Sequence, residues 1–583
     1  MKMTDAVEKG FKLNRDLVNP NFEGYKLSLD PIPSYKVSLS SCPDELKLQE
    51  NQFSYQHVKA FAVHNHLFLD PYNPNCVFYI SDLKLMQIHV ENGHSISNAE
   101  IVFEFPVSSN QRQSTNRLHS CVCFMSRDWL SLSDGVGNLY LVWTGNRTDG
   151  LTWKVCYRCR PLEDEASFIL KESIMFENGG NHCVDFILLH VEKVDKNDSD
   201  SKFQTVVEWL SVVNSADKDH WELYRTRRLT GAAPVDYISL QTNGKAIYVA
   251  SEKPFKMTYD SLKPITIEER NIEKSDKKER SVYKWHQTAE DLTVYFNLPR
   301  AYQKTEVKFK LVPDYIELSV DDDEMEPLLN GKLFNSVDVE ASTWTIQNNR
   351  LELILGKKSE TLWTTVVEGD ERGQLVENTE TSDRMEEDDE NEDDDKKPYN
   401  AQELEDCDNF PDESSALVRI DGETHVKTHQ ADLASHQWLF NTRLSNQKTC
   451  ALCLRHDVDG IVWQPQDNVD IVESPWIHVG TFNALGYVKA SKTQNKFTTC
   501  SPDLSFAVLC DCVRHVYVYR QSSPTLTPLR NRKTGKSVSA IAKQQLVTLE
   551  CTDTILGMQA TNDRIYILTA KHLYMIQVNE QSL

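Results

Sequence analysis

The chain has 583 residues, and its 63 basic and 87 acidic side chains give a formal net charge of −24. At about 150 residues per domain, this length predicts two to four domains. The hydrophobic fraction of 40 % is enough to build several cores, so the bulk of the chain is not disordered. Since nucleic acids and anionic membranes attract cations, we expect protein partners and no direct nucleic-acid partner.

The N-terminal residues argue against export. They read MKMTDAVEKGFKLNRD and carry Asp5 and Glu8 where a signal peptide would be apolar. No charge-free apolar run approaches the roughly 18 residues that a membrane span needs. We therefore expect a cytoplasmic protein, with the nucleus as a candidate additional location, and no membrane partner.

One hairpin pattern recurs in both halves of the chain: a polar turn, a short apolar run, a second polar turn and a second apolar run. It occurs at residues 73–90 (NPNCVFYISDLKLMQIHV), 126–143, 242–259, 501–520 and 561–578, and residues 457–464 fit half of it. Runs of Val, Ile, Tyr and Phe between polar turns predict an all-β fold. The pattern resembles the inner hairpin of a β-propeller blade.

The repeats leave two architectures open. Their spacing is irregular and no full Gly-His…Trp-Asp signature is present, so two unrelated β-sandwiches are the alternative to a divergent β-propeller. We favour one propeller interrupted by an insertion, because the edges of a blade need neighbours. Roughly 250 residues before the insertion and 170 after it then make about seven blades of about 40–60 residues each.

Two Cys-x-x-Cys pairs, Cys156/Cys159 and Cys450/Cys453, raise the hypothesis of a shared four-thiolate zinc site. Buried strand cysteines are the favoured alternative, because residues three apart in a strand point to opposite faces of the sheet. Neither pair has a Gly or Pro that would turn the backbone around a metal. The pairs therefore predict no metal site.

A segment with a different pattern of apolar and polar residues lies between the two halves of the predicted propeller. Residues 283–299 (YKWHQTAEDLTVYFNLP), 306–320 (EVKFKLVPDYIELSV) and 328–358 alternate apolar and polar residues, so each strand has one buried and one wet face. Asn330–Gly331 and Asn348–Asn349 predict turns. The segment is predicted to be a compact antiparallel β-sandwich.

Particular residues of this segment resemble the CS domain of the NudC family. They are Tyr283, Trp285, Gln287 and Thr288 in the first strand, then Gly331, Leu333, Phe334, Ser342 and Trp344, and the closing Leu362–Trp363. The resemblance implies a co-chaperone-like role that supports other proteins without hydrolysing ATP, with β-propeller proteins as clients and a heat-shock chaperone as a further partner. It does not imply dimerisation, because the coiled coil of NudC itself has no counterpart in sustained heptads here, and we expect a monomer.

The candidate protein-binding residues are four cations of this segment. Lys308 and Lys310 are outward residues of one alternating strand, and Arg300 and Lys304 lie in the loop before it. This basic patch in an acidic chain would suit an acidic chaperone or client, and a plain solvated strand face is the alternative. The aromatic residues Trp285, Phe334 and Trp344 are predicted to be sandwich core.

Residues 380–395 (ETSDRMEEDDENEDDD) hold eleven acidic residues and one basic residue, Arg384. Such a run repels itself and has almost nothing to bury, which predicts a flexible linker. An acidic arm that docks on a basic partner is the alternative. We assign residues 1–272 to the N-terminal part of the propeller, 273–368 to the CS domain, 369–413 to the linker and 414–583 to the C-terminal part.

The sequence lacks common signatures of catalysis. The sequence has no GxSxG, HExxH or GxGxxG motif. Residues 530–537 (RNRKTGKS) end like a phosphate loop, but Arg530 stands where the first glycine belongs. We interpret them as an exposed basic loop, with nuclear localisation or contact with an acidic partner as the alternative.

Two short clusters of metal-ligand residue types were also considered. The carboxylates at 321–324 lack the glycine of a calcium loop. His64 and His66 are two potential ligands on one strand face, but ordinary polar positions beside Phe61 and Leu67 are the favoured interpretation. We predict no enzyme, no catalytic or metal-binding residue and no cofactor.

Two functional hypotheses remain. The favoured one is a co-chaperone-like protein that binds partner proteins and supports the folding or stability of propeller clients. The alternative is a scaffold whose propeller binds one stable partner protein. The two differ in how many proteins the chain binds.

Overall fold

The computed structural model describes residues 7–8, 11–20, 22–62, 64–91, 95–107, 117–150, 152–162, 166–194, 203–214, 220–265, 283–288, 290–298, 302–321, 327–347, 350–359, 361, 363–370, 372–375, 415–433, 436–467, 474–492, 494–530, 535 and 537–579. The chain divides into two compact units, residues 1–265 with 408–583 and residues 266–407. Arg300, Leu362, the turn at Asn348–Asn349 and the acidic run at 380–395 lie outside the described residues.

The described part of the first unit contains seven sheets of four or five strands, named blades 1 to 7, with strands numbered in chain order. Blade 1 has β4 (Phe68–Leu69), β5 (Cys76–Ser81), β6 (Lys84–Glu91), β7 (Ser95–Ile96) and β8 (Glu100–Glu104). Blade 2 has β9 (Cys121–Phe124), β10 (Trp129–Ser133), β11 (Leu139–Trp143) and β12 (Lys154–Cys159). Blade 3 has β13 (Ile169–Asn178), β14 (Asn181–Lys193), β15 (Phe203–Asn214), β16 (Trp221–Gly231) and β19 (Lys256–Asp260).

The remaining four blades draw strands from distant parts of the sequence. Blade 4 has β17 (Val235–Leu240), β18 (Ala246–Ser251), β28 (Ala416–Asp421), β29 (Lys427–Asp432) and β1 (Val7–Glu8). Blade 5 has β30 (Gln437–Thr442), β31 (Ala451–His456), β32 (Asp459–Pro465) and β33 (Trp476–Phe482). Blade 6 has β34 (Asn495–Cys500), β35 (Phe506–Asp511), β36 (His515–Arg520), β39 (Lys543–Thr548) and β2 (Lys26–Leu27). Blade 7 has β40 (Ile555–Ala560), β41 (Arg564–Thr569), β42 (His572–Gln577) and β3 (Ser34–Ser38).

Few other elements accompany the blades. The hairpin β37 (Ser523–Arg530) and β38 (Ser537–Ile541) lies between two strands of blade 6 in the sequence. The described helices are α1 (Tyr55–Ala62), α2 (Leu485–Ala490) and the 3-10 turns Arg15–Leu17 and Lys304–Glu306. None of these described helices is long and apolar enough to cross a lipid bilayer.

The cores of this unit lie between its blades. Central strands such as β5 are buried along their whole length, because each blade is covered on both faces. Seven apolar clusters result, one between each pair of neighbouring blades. Phe78 of blade 1 and Phe124 of blade 2, for example, have ring centroids 5.2 Å apart. Seven sheets with cores between them are a β-propeller, and the predicted fold class is confirmed.

Hydrogen bonds join each blade to the next around the ring. They run between Arg147 and Asp70 (blades 1 and 2), Ser131 and Ser173 (2 and 3), Ser239 and Glu172 (3 and 4), Tyr237 and Cys450 (4 and 5), Gln521 and Thr481 (5 and 6), Arg520 and Asn579 (6 and 7) and Asn65 and Met558 (7 and 1). The last of these joins residues 493 positions apart. The ring is therefore closed by contacts that are distant in sequence.

Residues 11–38, the N-terminal strap, run along the outer edges of the later blades. Phe11 packs on Trp463 of blade 5, with ring centroids 4.6 Å apart. The hydroxyl of Tyr25 donates to the Asn483 carbonyl at 2.7 Å, and β2 pairs in parallel with β39 of blade 6. β3 then pairs antiparallel with β42, the C-terminal strand of blade 7. The last blade is thus completed by the beginning of the chain, which removes an open edge.

The insertion interrupts blade 4. β18 comes before it and β28 comes after it, and the two strands pair from Ala246↔Asp421 to Ser251↔Ala416. One sheet therefore contains both halves of the chain. This pairing excludes the alternative of two unrelated sandwiches.

Four of the five predicted hairpins are confirmed, and one is wrong. Residues 73–90, 126–143, 501–520 and 561–578 form the paired central strands of blades 1, 2, 6 and 7. In 242–259, however, β18 stays in blade 4 whereas β19 pairs with β16 of blade 3. Asp260 of β19 accepts from Arg225 of β16 at 3.0 Å. The two residues of this ion pair are 35 positions apart, so the local hairpin pattern could not predict that β19 pairs with β16.

The second unit is a two-sheet β-sandwich. One sheet has the order β25-β26-β21-β20-β27 and the other β22-β23-β24. The strands are β20 (Tyr283–Gln287), β21 (Asp291–Asn297), β22 (Val307–Val312), β23 (Tyr315–Val320), β24 (Leu329–Lys332), β25 (Val337–Gln347), β26 (Arg350–Lys357) and β27 (Gly373–Leu375). The inward residues form one core that includes Trp285, Phe296, Leu318, Leu353 and Trp363. The predicted sandwich is confirmed.

Three details of the sandwich differ from the predictions. Asn330–Gly331 is not a turn but part of β24, paired with Glu317 and Ile316 of β23. Glycine is needed there because a Cβ would stand 2.6 Å from a methyl of Val367.

The C-terminal boundary of the sandwich also lies further along the chain than residue 368. β27 pairs in parallel with β20, with Tyr283 opposite Gly373, so the sandwich extends to Leu375. A three-residue strand is too short to be recognised beside an acidic run. Among the predicted core aromatics, Trp285 is 2 % exposed, but Phe334 and Trp344 only flank the core and are partly buried.

Candidate protein-binding surface

Gln287 holds the sandwich closed. Its side-chain Nε2 donates to the Trp363 carbonyl, and its Oε1 accepts from the Trp363 N–H, both at 2.9 Å. Lys357 donates to the same Oε1 at 2.7 Å, and burial lowers the pKa of this lysine. Gln287 therefore joins β20 to Trp363 near the end of the sandwich. These two residues, which resemble the CS domain family, have a structural role here.

The wet face of the three-stranded sheet carries the candidate binding residues. Strand β22 alternates, so Lys308 and Lys310 are exposed on one side, while Phe309 packs against the core on the other. Lys304 is exposed in the 3-10 turn just before the strand. The structure thus places three of the four predicted cations within one turn and one strand, and the fourth, Arg300, is not among the described residues.

These cations do not form a purely basic patch. The Lys308 ammonium lies 2.5 Å from a carboxylate oxygen of Asp321. Lys310 stands directly opposite Glu317 in the strand register. On the same sheet, Lys332 pairs with Glu368 at 2.9 Å. The face therefore has mixed charge, with each strand lysine beside a carboxylate.

Sequence analysis missed an apolar pair on this face. Val312 and Tyr315 are 38 % and 37 % exposed, and they stand opposite each other at the end of the β22–β23 hairpin. The Tyr315 hydroxyl donates to Asn330 Oδ1 at 2.5 Å, which fixes the ring. The sequence contained a signal for Val312, because this residue alternates with Lys308 and Lys310 on the same side of the strand. Tyrosine is enriched at protein interfaces, which have a polar rim.

Strand β22 is also the edge of its sheet. Lysines on an edge strand discourage pairing with strands of other molecules. Lys308 and Lys310 therefore have a structural explanation as well as a functional one. An experiment that separates the two must compare their loss with an equal charge change elsewhere on the sandwich.

The other residues considered from the sequence are scattered over the propeller. Cys156 and Cys159 lie on β12 of blade 2, and Cys453 lies on β31 of blade 5. The cysteines among the described residues are free thiols. Arg530, from the basic run, is the last residue of β37 and is exposed. These groups are not brought together.

The fold and its inserted sandwich define a class: β-propeller proteins that carry a CS domain. The CS domain family model matches residues 281–357. NudC domain-containing protein 1 of Mus musculus is 37 % identical over 99 % of this chain and 100 % of its own length. The Xenopus tropicalis protein of the same name is 36 % identical over 97 % of this chain and 98 % of its own length. The chain belongs to the NudC domain-containing protein 1 family.

Among solved structures, the β-propeller domain of Myceliophteria thermophila Cps50 (Swd1) covers 89 % of this chain and 97 % of its own, with 7 % identity and a TM-score of 0.32. The propeller assignment rests on the strand pairing described above.

Proposed function

We propose that the chain is a non-enzymatic, co-chaperone-like protein that binds partner proteins and supports the folding or stability of β-propeller clients. Its family membership and its CS sandwich support this proposal. The observation that carries it furthest is the face of the sandwich on which Lys308 and Lys310 flank the exposed pair Val312 and Tyr315. In the proposal this face is an interaction surface. The protein acts in the cytoplasm, with the nucleus as a candidate additional location.

The proposed mechanism is differential binding. A protein that hydrolyses nothing shifts a folding equilibrium only by binding one state of its client better than another. It stabilises that state in proportion to its excess over the dissociation constant. An affinity on the order of micromolar suits this role, because a tighter complex would retain the client.

Propeller clients suit such a partner. The edges of their blades stay open until the ring closes, and closure needs contacts distant in sequence, which form slowly. Unpaired edges meanwhile invite aggregation. A monomeric partner that covers a folding intermediate for a short time would raise the yield of the closed ring.

Affinity purification of the full chain under mild crosslinking tests the proposal. We expect many propeller proteins at low stoichiometry. Recovery of one partner at equal stoichiometry would instead support the scaffold hypothesis, in which the propeller binds a single stable partner.

Two matched variants locate the surface. The double variant Lys308→Glu with Lys310→Glu reverses two charges on the candidate face. The control, Lys284→Glu with Lys358→Glu, makes the same net change in charge elsewhere on the sandwich. Lys284 is exposed on β20 of the five-stranded sheet, and Lys358 is exposed in the loop after β26. We expect the first variant to lose the clients and the second to retain them, with equal melting temperatures. Equal client recovery by both variants would exclude this face.

A further inference from the structure

Three histidines from two blades meet in the propeller. His64 and His66 lie between α1 and β4 of blade 1, and His119 lies just before β9 of blade 2. One potential ligand atom from each ring lies within 4.8 Å of the others. The rings of His64 and His119 are stacked with centroids 4.2 Å apart, and the ring of His66 is perpendicular to both.

The backbone on both sides of the cluster is fixed. The His66 N–H donates to the Leu556 carbonyl of blade 7 at 3.1 Å. The side chain of Asn65, between the two histidines, donates to the Met558 carbonyl at 2.8 Å. On the other side, Leu118 donates to the Gly135 carbonyl at 2.9 Å. A Cβ at Gly135, whose φ is +71°, would stand 1.9 Å from the Leu118 oxygen. The three rings are therefore presented by rigid segments.

Burial disfavours the charged form of all three imidazoles. Burial, with further contributions from neighbouring histidines, lowers the pKa of His119 to about 3 and that of His64 well below its usual value. Burial likewise lowers the pKa of His66 to about 4. A neutral imidazole has a lone pair on one nitrogen and is the form that binds a metal.

The nearby polar groups supply support rather than further ligands. The three rings line one small cavity with Asp44, Ser120 and two apolar side chains. The Asp44 carboxylate accepts from Arg117 at 2.9 Å and from the Asp82 N–H at 2.7 Å. The Ser120 hydroxyl donates to the Asp134 carbonyl at 2.9 Å. The Asp44 backbone interacts with the His66 ring, as the outer partners of metal-bound histidines do.

We propose that His64, His66 and His119 bind a divalent transition-metal ion, with Zn²⁺ as the expected occupant. Three imidazole nitrogens are a common zinc donor set, in which water usually takes the fourth position. Nitrogens bound to one tetrahedral zinc lie roughly 3.4 Å apart, so metal binding requires the rings of His64 and His119 to rotate out of their stacked arrangement. The site ties blade 1 to blade 2 and is independent of the proposed protein-binding face.

Zinc binding by the full chain, purified without a histidine tag, tests the proposal. We expect about one equivalent of tightly bound zinc by elemental analysis after dialysis, and a higher melting temperature in zinc than in chelator. His119→Gln removes one ligand, and we expect its zinc affinity to fall by at least about tenfold.

The control variant is His436→Gln. His436 also stacks on a second histidine, His456, with centroids 5.1 Å apart, but this pair is not part of a three-ligand group among the described residues. The control should bind zinc as the unmodified chain does. Absence of zinc binding by the unmodified chain, or equal binding by His119→Gln, would overturn the proposal.

Cobalt substitution keeps the proposal testable should His119→Gln fail to fold. Co²⁺ added to the unmodified metal-free chain should give visible bands of a tetrahedral or five-coordinate ion, which zinc then displaces. A thiolate-to-cobalt charge-transfer band would show that cysteines bind the metal and would contradict the three-histidine site. A purely octahedral spectrum, like that of the aqueous ion, would also contradict it.

Discussion

The propeller and the sandwich both bury β-strands, but they do so over very different distances in the sequence. The eight strands of the sandwich follow one another between Tyr283 and Leu375 and share one core. The propeller has seven cores, and three of its blades include a strand from the first 38 residues of the chain. Local closure makes the sandwich a self-contained insertion, whereas the ring depends on both ends of the chain.

Separating the two halves of the propeller should have the largest effect. Residues 1–265 alone lack β28 and β29 of blade 4, all of blade 5, and every strand of blades 6 and 7 except β2 and β3. They therefore expose strand edges and apolar faces. We expect this fragment to be insoluble, and co-expression with residues 408–583 to rescue it. The fragment 266–375 should be soluble and unfold cooperatively. Two halves that are each soluble and monomeric would contradict the closed ring.

Breaking one seam of the ring should have the next largest effect. Arg147 and Asp70 join blades 1 and 2 through Nε–Oδ2 and Nη2–Oδ1 bonds of 2.7 and 3.1 Å, and both side chains are 2 % exposed. Arg147→Met leaves a buried carboxylate without its partner and should cost about 3–5 kcal/mol of unfolding free energy. Lys332→Met breaks the exposed pair with Glu368 in the sandwich and should change stability little. Denaturant unfolding of both variants checks the difference, and similar losses would contradict it.

Within the isolated sandwich, two tryptophans should differ. Trp285→Ala removes a fully buried ring and should cost about 3–5 kcal/mol. Trp344 is partly buried, with its ring centroid 6.3 Å from that of Phe309, so Trp344→Ala should cost about half as much. Urea unfolding of the fragment measures both changes. An equal loss would show that Trp344 belongs to the core.

A buried carboxyl group should make the propeller's stability depend on pH near neutrality. Burial raises the pKa of Glu172 to about 7, although Leu240 N–H and Ser239 hydroxyl donate to it. A raised folded-state pKa stabilises the fold at low pH, and this contribution is lost as the pH rises from about 4.5 through 7. Glu172→Gln should therefore be more stable than the unmodified chain at pH 8 by about 1–3 kcal/mol, and similar to it at pH 4.5. Equal pH profiles of the melting temperature would contradict this assignment.

The sequence predicts the parts of the molecule that are local. Alternating strands and family residues such as Trp285 and Gln287 identify the sandwich, and four hairpins identify the blades. The exchange of β19 into blade 3 was not predictable, because it depends on Arg225 and Asp260, which are 35 residues apart.

The binding surfaces follow the same rule. Strand alternation in the sequence identifies Lys308 and Lys310 as exposed. It does not show that Asp321 and Glu317 lie beside them, because those contacts depend on how β22 and β23 pair. His64 and His66 are two positions apart in the sequence, whereas His119 joins them only when blades 1 and 2 pack together. Contacts that form only when the blades pack into a ring could not be predicted from this one sequence.

The abundance of propeller proteins after depletion of this protein tests the proposed function most directly. We predict that quantitative proteomics will show a few propeller proteins falling while their messenger levels stay constant. Re-expression of the unmodified chain or of Lys284→Glu with Lys358→Glu should restore them, and Lys308→Glu with Lys310→Glu should not. Unchanged propeller proteins, with one partner lost from its complex instead, would contradict the co-chaperone account.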